Sequence, residues 1–245
     1  PLEWDTEHFN FPCYRICYLH AQYKEHLLSD IYDFLKKKGV RLAFLRLSTE
    51  DPLRVYMPKH PAFRLCATKI MFKKDLNKSG PTIERKGLSL RALADLPVSV
   101  IKKAENKIIK IGPKLFIYNH FKSDDKISRR QAAGVYHNWL KNIIKSRAED
   151  VKCLFDTSNR LVAFCIVKKR NDLGKKMALL ELIGTLVKGK NYGTFVLRGT
   201  ETGLQESGYE IFYANTDVRN YLAQNLFTRN GFISYRTIDE YHCWI

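Results

Sequence analysis

The sequence predicts an α/β fold, and three observations carry that expectation. Strand-like and helix-like patterns alternate along 245 residues whose 45% hydrophobic content is enough for a sizeable core. An apolar run over 177–187 passes through a basic, glycine-containing loop at 188–193 into a helix pattern. Beyond one more short strand at 211–214, the spacing Asn220-x-x-Ala223-x-x-Leu226-Phe227-x-x-x-Gly231-Phe232 marks a second helix closed by a glycine. A small-residue loop between a strand and a helix turns free N–H groups and the positive end of the helix dipole toward an anion.

The elements follow in order. Residues 13–19 alternate enough for a strand, and 20–38 place Leu27, Leu28, Ile31, Phe34 and Leu35 on one face of a helix that Gly39 ends. Strands are expected over 40–47 and 62–72, with a turn at Asp51-Pro52 between them. Periodicity is lost over 75–86, around Ser79-Gly80-Pro81, which divides the chain into 1–78, a linker at 79–86, and 87–245. The second unit opens with a strand at 88–91 and a basic helix begun by Asp95-Leu96-Pro97. A helix capped by Ser128 then carries Val135, Tyr136, Trp139, Leu140, Ile143 and Ile144 at helical spacing, a stripe expected in the core.

Residues 152–155 and 161–168 flank the turn at 156–159 and form a hairpin. A turn at 171–174 leads into the 177–187 strand. After the basic loop, 194–205 is helical, with Gly199 and Gly203 permitting close approach to a sheet. Val218, Leu222, Ala223, Leu226 and Phe227 form the apolar face of the last helix, and strand-like stretches at 232–236 and 240–245 close the chain.

Charge and cysteines narrow the function classes. A formal net charge of +17 favours anionic partners such as nucleotides or CoA. The lysines and arginines are spread along the chain, as on a solvated surface, and no recognised nucleic-acid motif accompanies them, so nucleic acid is disfavoured as a partner. No apolar run is long enough to cross a bilayer, and the first residues do not read as a signal peptide. The six cysteines are scattered; Cys153 and Cys165 sit in apolar strand patterns, and no Cys or His set has zinc-site spacing. A cytoplasmic protein with reduced thiols and no metal is expected.

The loop and the later helix resemble the GNAT acyltransferase superfamily. Its acyl-CoA loop reads Arg/Gln-x-x-Gly-x-Gly/Ala, and its later helix reads Asn-x-x-Ala-x-x-Leu-Tyr-x-x-x-Gly-Phe. The loop matches at Lys188, as a basic residue, and at Gly193, with Asn191 in place of the first glycine; the helix matches at Asn220, Ala223, Leu226, Gly231 and Phe232. The family's tyrosine position holds Phe227. From residue 87 onward the element order is that of the family, whose fold is a mixed, mostly antiparallel sheet flanked by helices, and 1–78 resembles a truncated version of the same unit. The opening Leu2-x-Trp4-Asp5-x-x-x-Phe9, the segment His120-Phe121-x-x-Asp124-Asp125 and the pair Tyr136-x-x-Trp139 are similar to the subfamily that N-acetylates nucleotide-linked amino sugars such as dTDP-fucosamine.

The resemblance implies acetyl-CoA as co-substrate, a nucleotide-linked amino-deoxy sugar as acceptor, and direct transfer in a ternary complex; a homodimer is entertained as the assembly. Lys188, Gly189, Lys190, Asn191, Tyr192 and Gly193 would cradle the pyrophosphate, Asn191 keeping the left-handed shape that asparagine tolerates. Backbone groups of Leu182, Ile183 and Gly184 would meet the thioester if this strand splays from its neighbour. Asn220 would bond the pantetheine arm or orient its helix. Glu181, the only acid in the apolar strand, is the base that would act through a water, or else a partner for a lysine. At the proton-donor position Phe227 has no proton to give. Tyr221, Tyr235, Tyr241 or water could replace it, or the acid could be dispensable, since a thiol ionises at about 8.5. His120, Asp124 and Tyr136 are assigned to the acceptor side, with helix-terminal charge as the alternative for Asp124 and Asp125. Two competing functions are acetylation of a protein or other amine, and binding of CoA or nucleic acid without turnover.

Overall fold

The computed structural model describes residues 1–17, 26–78, 86–146, 150–172 and 174–245. Seven α-helices and nine strands are assigned in them: α1 (Glu3–Phe9), β1 (Cys13–Ile16), α2 (Leu27–Lys37), β2 (Leu42–Ser48), β3 (Phe63–Asp75), β4 (Ser89–Ala92), α3 (Val98–Leu115), α4 (His120–Ser123), α5 (Arg129–Ser146), β5 (Asp150–Phe155), β6 (Leu161–Asp172), β7 (Lys175–Thr185), α6 (Tyr192–Glu206), β8 (Ile211–Asp217), α7 (Tyr221–Arg229) and β9 (Ile233–Trp244). The expected strand residues 18 and 19, helix residues 20–25, most of the 79–86 linker and Leu173 of the 171–174 turn lie outside the described residues.

All nine strands join one sheet in the order β1-β2-β9-β3-β8-β7-β6-β5-β4. The β1/β2 and β7/β8 pairs are parallel and the rest antiparallel, the mixed and mostly antiparallel sheet expected of the fold class. The last strand lies between β2 and β3, so the first and last parts of the chain share one sheet.

Helices cover both faces of the sheet's centre, and β6 shows why. Cys165 and Val167 pack in one core with Val196, Leu197 and Leu204 of α6, whereas Phe164 and Ile166 pack in another with Ile108 of α3 and Leu140 of α5. A strand covered on both sides reads as a continuous apolar run rather than an alternation. Gly199 of α6 sits where a Cβ would come within 2.6 Å of Leu90 Cδ2, so this glycine admits β4. Ser128 and Gln131 cap α5 reciprocally: Gln131 N–H donates to Ser128 Oγ at 3.2 Å, and Ser128 N–H to Gln131 Oε1 at 3.2 Å.

Three expectations need correction. Residues 233–244 form one strand, not two; its first half is exposed and its second half buried, which hides the alternation. Phe34 of α2 is 56% exposed and Leu222 of α7 is 85% exposed, so each helix buries a narrower stripe than its apolar residues suggest. Gly203 has nothing within 4 Å of where a Cβ would stand and serves no close approach. Tyr136 and Trp139 pack against the core as expected and also line a cavity. Among the described residues no helix is long and apolar enough to cross a membrane.

Candidate active site

The two central parallel strands part in mid-course. β7 and β8 are paired from Met177/Ile211 to Leu180/Ala214 only. Beyond that point β8 continues along β3 to Asp217 while β7 continues along β6 to Thr185. The register of β6 against β7 also shifts here: Val167 faces Leu180 and Ile166 faces Leu182, which leaves Glu181 as the extra residue of a bulge. From Glu181 onward, the β7 edge that faced β8 carries main-chain groups without a strand partner. The expected splay at Leu182, Ile183 and Gly184 is therefore present. A Cβ at Gly184 would stand 2.7 Å from Phe164 Cε1 and 2.8 Å from Leu115 Cδ1, so glycine is required there by packing.

β7 leads into α6 through the basic loop. Gly189 has φ +74, and Asn191, the residue before α6, has φ 58 and ψ 20, the left-handed shape expected of it. Asn191 is further fixed by Thr194, whose N–H donates to its carbonyl at 3.1 Å and whose Oγ1 donates to its Oδ1 at 2.9 Å. The N–H groups of Tyr192 and Gly193, in the first turn of α6, have no intrahelical acceptor. At Gly193 a Cβ would meet Leu226 and Thr185 at 3.5 Å, an ordinary contact, so the protein's own packing does not demand glycine.

In the following helix, Asn220 is a cap. Its Oδ1 accepts from Ala223 N–H at 3.3 Å and its Nδ2 donates to Thr216 Oγ1 at 3.0 Å. Phe227 is 2% exposed and packs between Phe72 and Phe232, with ring centroids 5.4 and 5.6 Å away. It belongs to the core, in keeping with its place on the apolar face of this helix. Of the tyrosines considered as its substitute, Tyr221 and Tyr235 are 71% and 44% exposed, and only Tyr241 is among the cavity-lining residues.

That cavity, of about 480 Å³, lies beside the bulge. Glu181 and Leu182 form part of its wall with Trp4 of α1, His120 of α4, Tyr136 and Trp139 of α5, and Glu240 of β9. Its size and mixed aromatic and charged lining suit a small-molecule ligand. Four sequence-predicted residues thus meet: Glu181, Leu182, His120 and Tyr136. Ile183 turns to the opposite face and packs against the α6 core. Asp124 is not in the wall; it reaches His120 only through His242.

The electrostatics divide the acids. Burial raises the Glu181 carboxyl above its ordinary range, against the pull of Lys168, Arg170, Lys69 and Arg46, and no cation of the described residues lies within ion-pair distance. Glu240 is held by Arg46 Nε at 2.7 Å and Lys69 Nζ at 3.1 Å. Burial would raise its pKa, but His120, Lys69 and Arg46 bring it to about 2. His120 is lowered to about 3, first by burial and then by His242, Lys69 and Arg46, with Glu240 opposing them. Behind it, His120 Nδ1 lies 2.7 Å from His242 Nε2, and His242 Nδ1 lies 2.5 Å from Asp124 Oδ2. Trp244 Nε1 also donates to Asp124 Oδ2, at 2.8 Å, and Lys126 N–H to Oδ1, at 2.9 Å. Asp125, by contrast, is exposed and paired with Arg64.

Sequence reasoning missed Arg46, Lys69, Glu240 and His242. One signal was available: Asp239, Glu240 and His242 interrupt a strand whose neighbours Tyr241 and Cys243 are buried, and all three are themselves at most 3% exposed. Buried charge of this kind must be paired or put to use.

No protein-family model matches the chain, and no curated protein does. Solved structures share its fold. A GCN5-related N-acetyltransferase from Sphaerobacter thermophilus superposes with a TM-score of 0.61 at 12% identity, over 89% of this chain and 68% of that one. A tandem GNAT protein from the clavulanic acid biosynthesis pathway gives 0.61 at 11% identity, over 96% and 75%. A functionally unknown conserved protein from Staphylococcus epidermidis gives 0.62 at 9% identity, over 90% and 81%. Likeness at these identities establishes the GNAT fold for this chain.

Proposed function

We propose that this chain transfers an acetyl group from acetyl-CoA to a primary amine, directly and within a ternary complex. The observation that carries this reading is the parting of β7 from β8 after Leu180 and Ala214, with Glu181 bulged beside a cavity. The opened edge of β7 supplies N–H groups for a thioester oxygen as charge develops on it. The left-handed Asn191, Gly189 and the first-turn N–H groups of α6 suit the CoA pyrophosphate. Glu181, with its raised carboxyl pKa and no ion pair among the described residues, takes a proton from the acceptor ammonium through a water.

For the acceptor we infer a nucleotide-linked amino-deoxy sugar. Arg15 and Arg170 at the cavity, and the chain's net charge of +17, favour an anionic carrier for the amine. Trp4, Tyr136 and Trp139 offer aromatic faces for a ring.

The test begins with melting temperature in the presence and absence of acetyl-CoA. A ligand at a hundred times its Kd adds about 2.7 kcal/mol, which is readily seen. Absence of any shift at millimolar acetyl-CoA would refute the proposal. With a shift in hand, dTDP-4-amino-4,6-dideoxygalactose is offered as acceptor and the acetylated product is sought by mass spectrometry. Acetylation of simple amines but not of this sugar would leave the acyl transfer standing and remove the sugar.

A further inference from the structure

We propose that His120, His242 and Asp124 form a proton relay serving the acceptor amine, a role that rests on the acetyl-transfer reading above. The chemistry calls for one. An ammonium that becomes an amide gives up two protons, while the departing sulfur takes back one. Glu181 accounts for the first, which leaves a second to be accepted as the C–N bond forms. Phe227 is buried and has no proton to give the sulfur. One group that first accepts and then returns a proton would meet both needs.

The hydrogen bonds set the direction of the relay. The Asp124 carboxyl, which burial alone would raise, is held below its ordinary range by bonds from His242, Trp244 and Lys126 N–H, so it accepts and does not donate. In a neutral His242 the proton then sits on Nδ1, 2.5 Å from Asp124 Oδ2, and Nε2 is left with a lone pair, the resting form that the relay assigns to it. The 2.7 Å contact to that lone pair requires a proton on Nδ1 of His120. Nε2 of His120 is then bare. It has no hydrogen-bond partner among the described residues, and its ring forms part of the cavity wall. His120 and Glu181 line the same cavity.

The step balances. The amine lone pair forms the C–N bond as the carbonyl π pair moves to oxygen. An N–H proton passes to His120 Nε2, and the Nδ1 proton of His120 moves to Nε2 of His242. Positive charge then rests on His242, against the Asp124 carboxylate, rather than on His120, where burial disfavours it. As the oxygen pair re-forms the C=O bond, the C–S bond breaks with its electron pair leaving on sulfur, and the reverse shift returns one proton through His120 to that thiolate. The proton taken by Glu181 goes to solvent. His120 is thus a catalytic residue, and His242 and Asp124 position it and share its charge.

The experiment is nitrogen-15 histidine NMR of the full chain at neutral pH, with His120→Gln and His242→Gln spectra for assignment. Both rings are expected neutral and protonated on Nδ1; a proton on Nε2 of His120 would overturn the relay. The tautomers are read without substrate, so they decide the relay whichever amine is accepted. In turnover with dTDP-4-amino-4,6-dideoxygalactose, His242→Gln should lower kcat about 100-fold, with KM and the acetyl-CoA melting shift kept. His120→Ala should lose activity similarly and regain part of it with added imidazole. An unchanged kcat in His242→Gln alongside a retained acetyl-CoA shift would overturn the relay alone. A wild-type chain without that shift would instead overturn the acetyl-transfer reading and, with it, this role.

Discussion

Leu180 and Ala214 are the last residues at which β7 and β8 run side by side. The next residue of β7, Glu181, is the bulged one. A strand end held on one side only thus places an acid beside the cavity and frees main-chain groups at the same point. The sheet could have closed this gap by continuing the ladder. Instead β8 stays with β3 and β7 with β6, which leaves an opening between them.

Glu181→Gln is expected to lower acetyl transfer about 100-fold at neutral pH while leaving the acetyl-CoA melting shift in place. It should also raise the melting temperature. Glu181 has its carboxyl pKa raised by burial, so its ionisation destabilises the folded state as pH climbs above the unfolded value of 4.5. The stabilisation by glutamine should fade as pH falls below that value. Equal activity in the two proteins would remove Glu181 as the base.

The loop before α6 can be tested by two glycine exchanges. Gly193→Ala meets only ordinary contacts at 3.5 Å, so the chain should fold with an unchanged or slightly higher melting temperature. Its acetyl-CoA shift should nonetheless shrink, because the added methyl group, set against Leu226 and Thr185, crowds the first turn of α6 that would hold the pyrophosphate. Asn191→Gly should be tolerated, whereas Asn191→Val should cost about 1–2 kcal/mol, since φ is 58 there. A normal acetyl-CoA shift in Gly193→Ala would place the pyrophosphate elsewhere.

Phe227→Tyr restores the residue of the GNAT motif but is not expected to restore a proton donor. The ring is packed between Phe72 and Phe232 at 2% exposure, and an added hydroxyl would be buried without a partner. A loss of about 1–3 kcal/mol in denaturant unfolding is expected, with no gain in kcat. A faster enzyme would show that the hydroxyl reaches the reacting sulfur.

Acid should weaken the fold in two stages. His120 has its folded pKa lowered from 6.5 to about 3, so its contribution is complete above 6.5 and is lost as pH falls toward 3. Glu240 is lowered from 4.5 to about 2, so its share is complete above 4.5 and is lost as pH falls toward 2. Stability measured by denaturant should therefore decline below about 6.5 and more steeply below about 4.5. His120→Gln should remove the upper stage. Glu240→Gln should cost about 2 kcal/mol at neutral pH, less than for a fully buried pair because Arg46 is half-exposed. The same profile between pH 7 and 5 in the wild type and in His120→Gln would contradict the burial of His120.

By itself the sequence determined the α/β class, most of the strands and helices from β2 to α7, the left-handed Asn191 and the strand at which β7 would splay. Each of these is local: a period of two or 3.6, a glycine or asparagine at a turn, a loop set between a strand and a helix. The cavity was legible only in part. Glu181, His120 and Tyr136 were singled out, but as separate readings, and nothing in their spacing said that they face one another. Only the tertiary structure decided that, by inserting β9 between β2 and β3 so that Glu240 and His242 stand beside residues of α4 and β7. The same packing set Tyr136 and Trp139 where they touch both the core and the cavity. Which face of an amphipathic element meets solvent, a neighbour or a void is fixed by contacts between residues far apart in the chain. Local pattern carries no record of them.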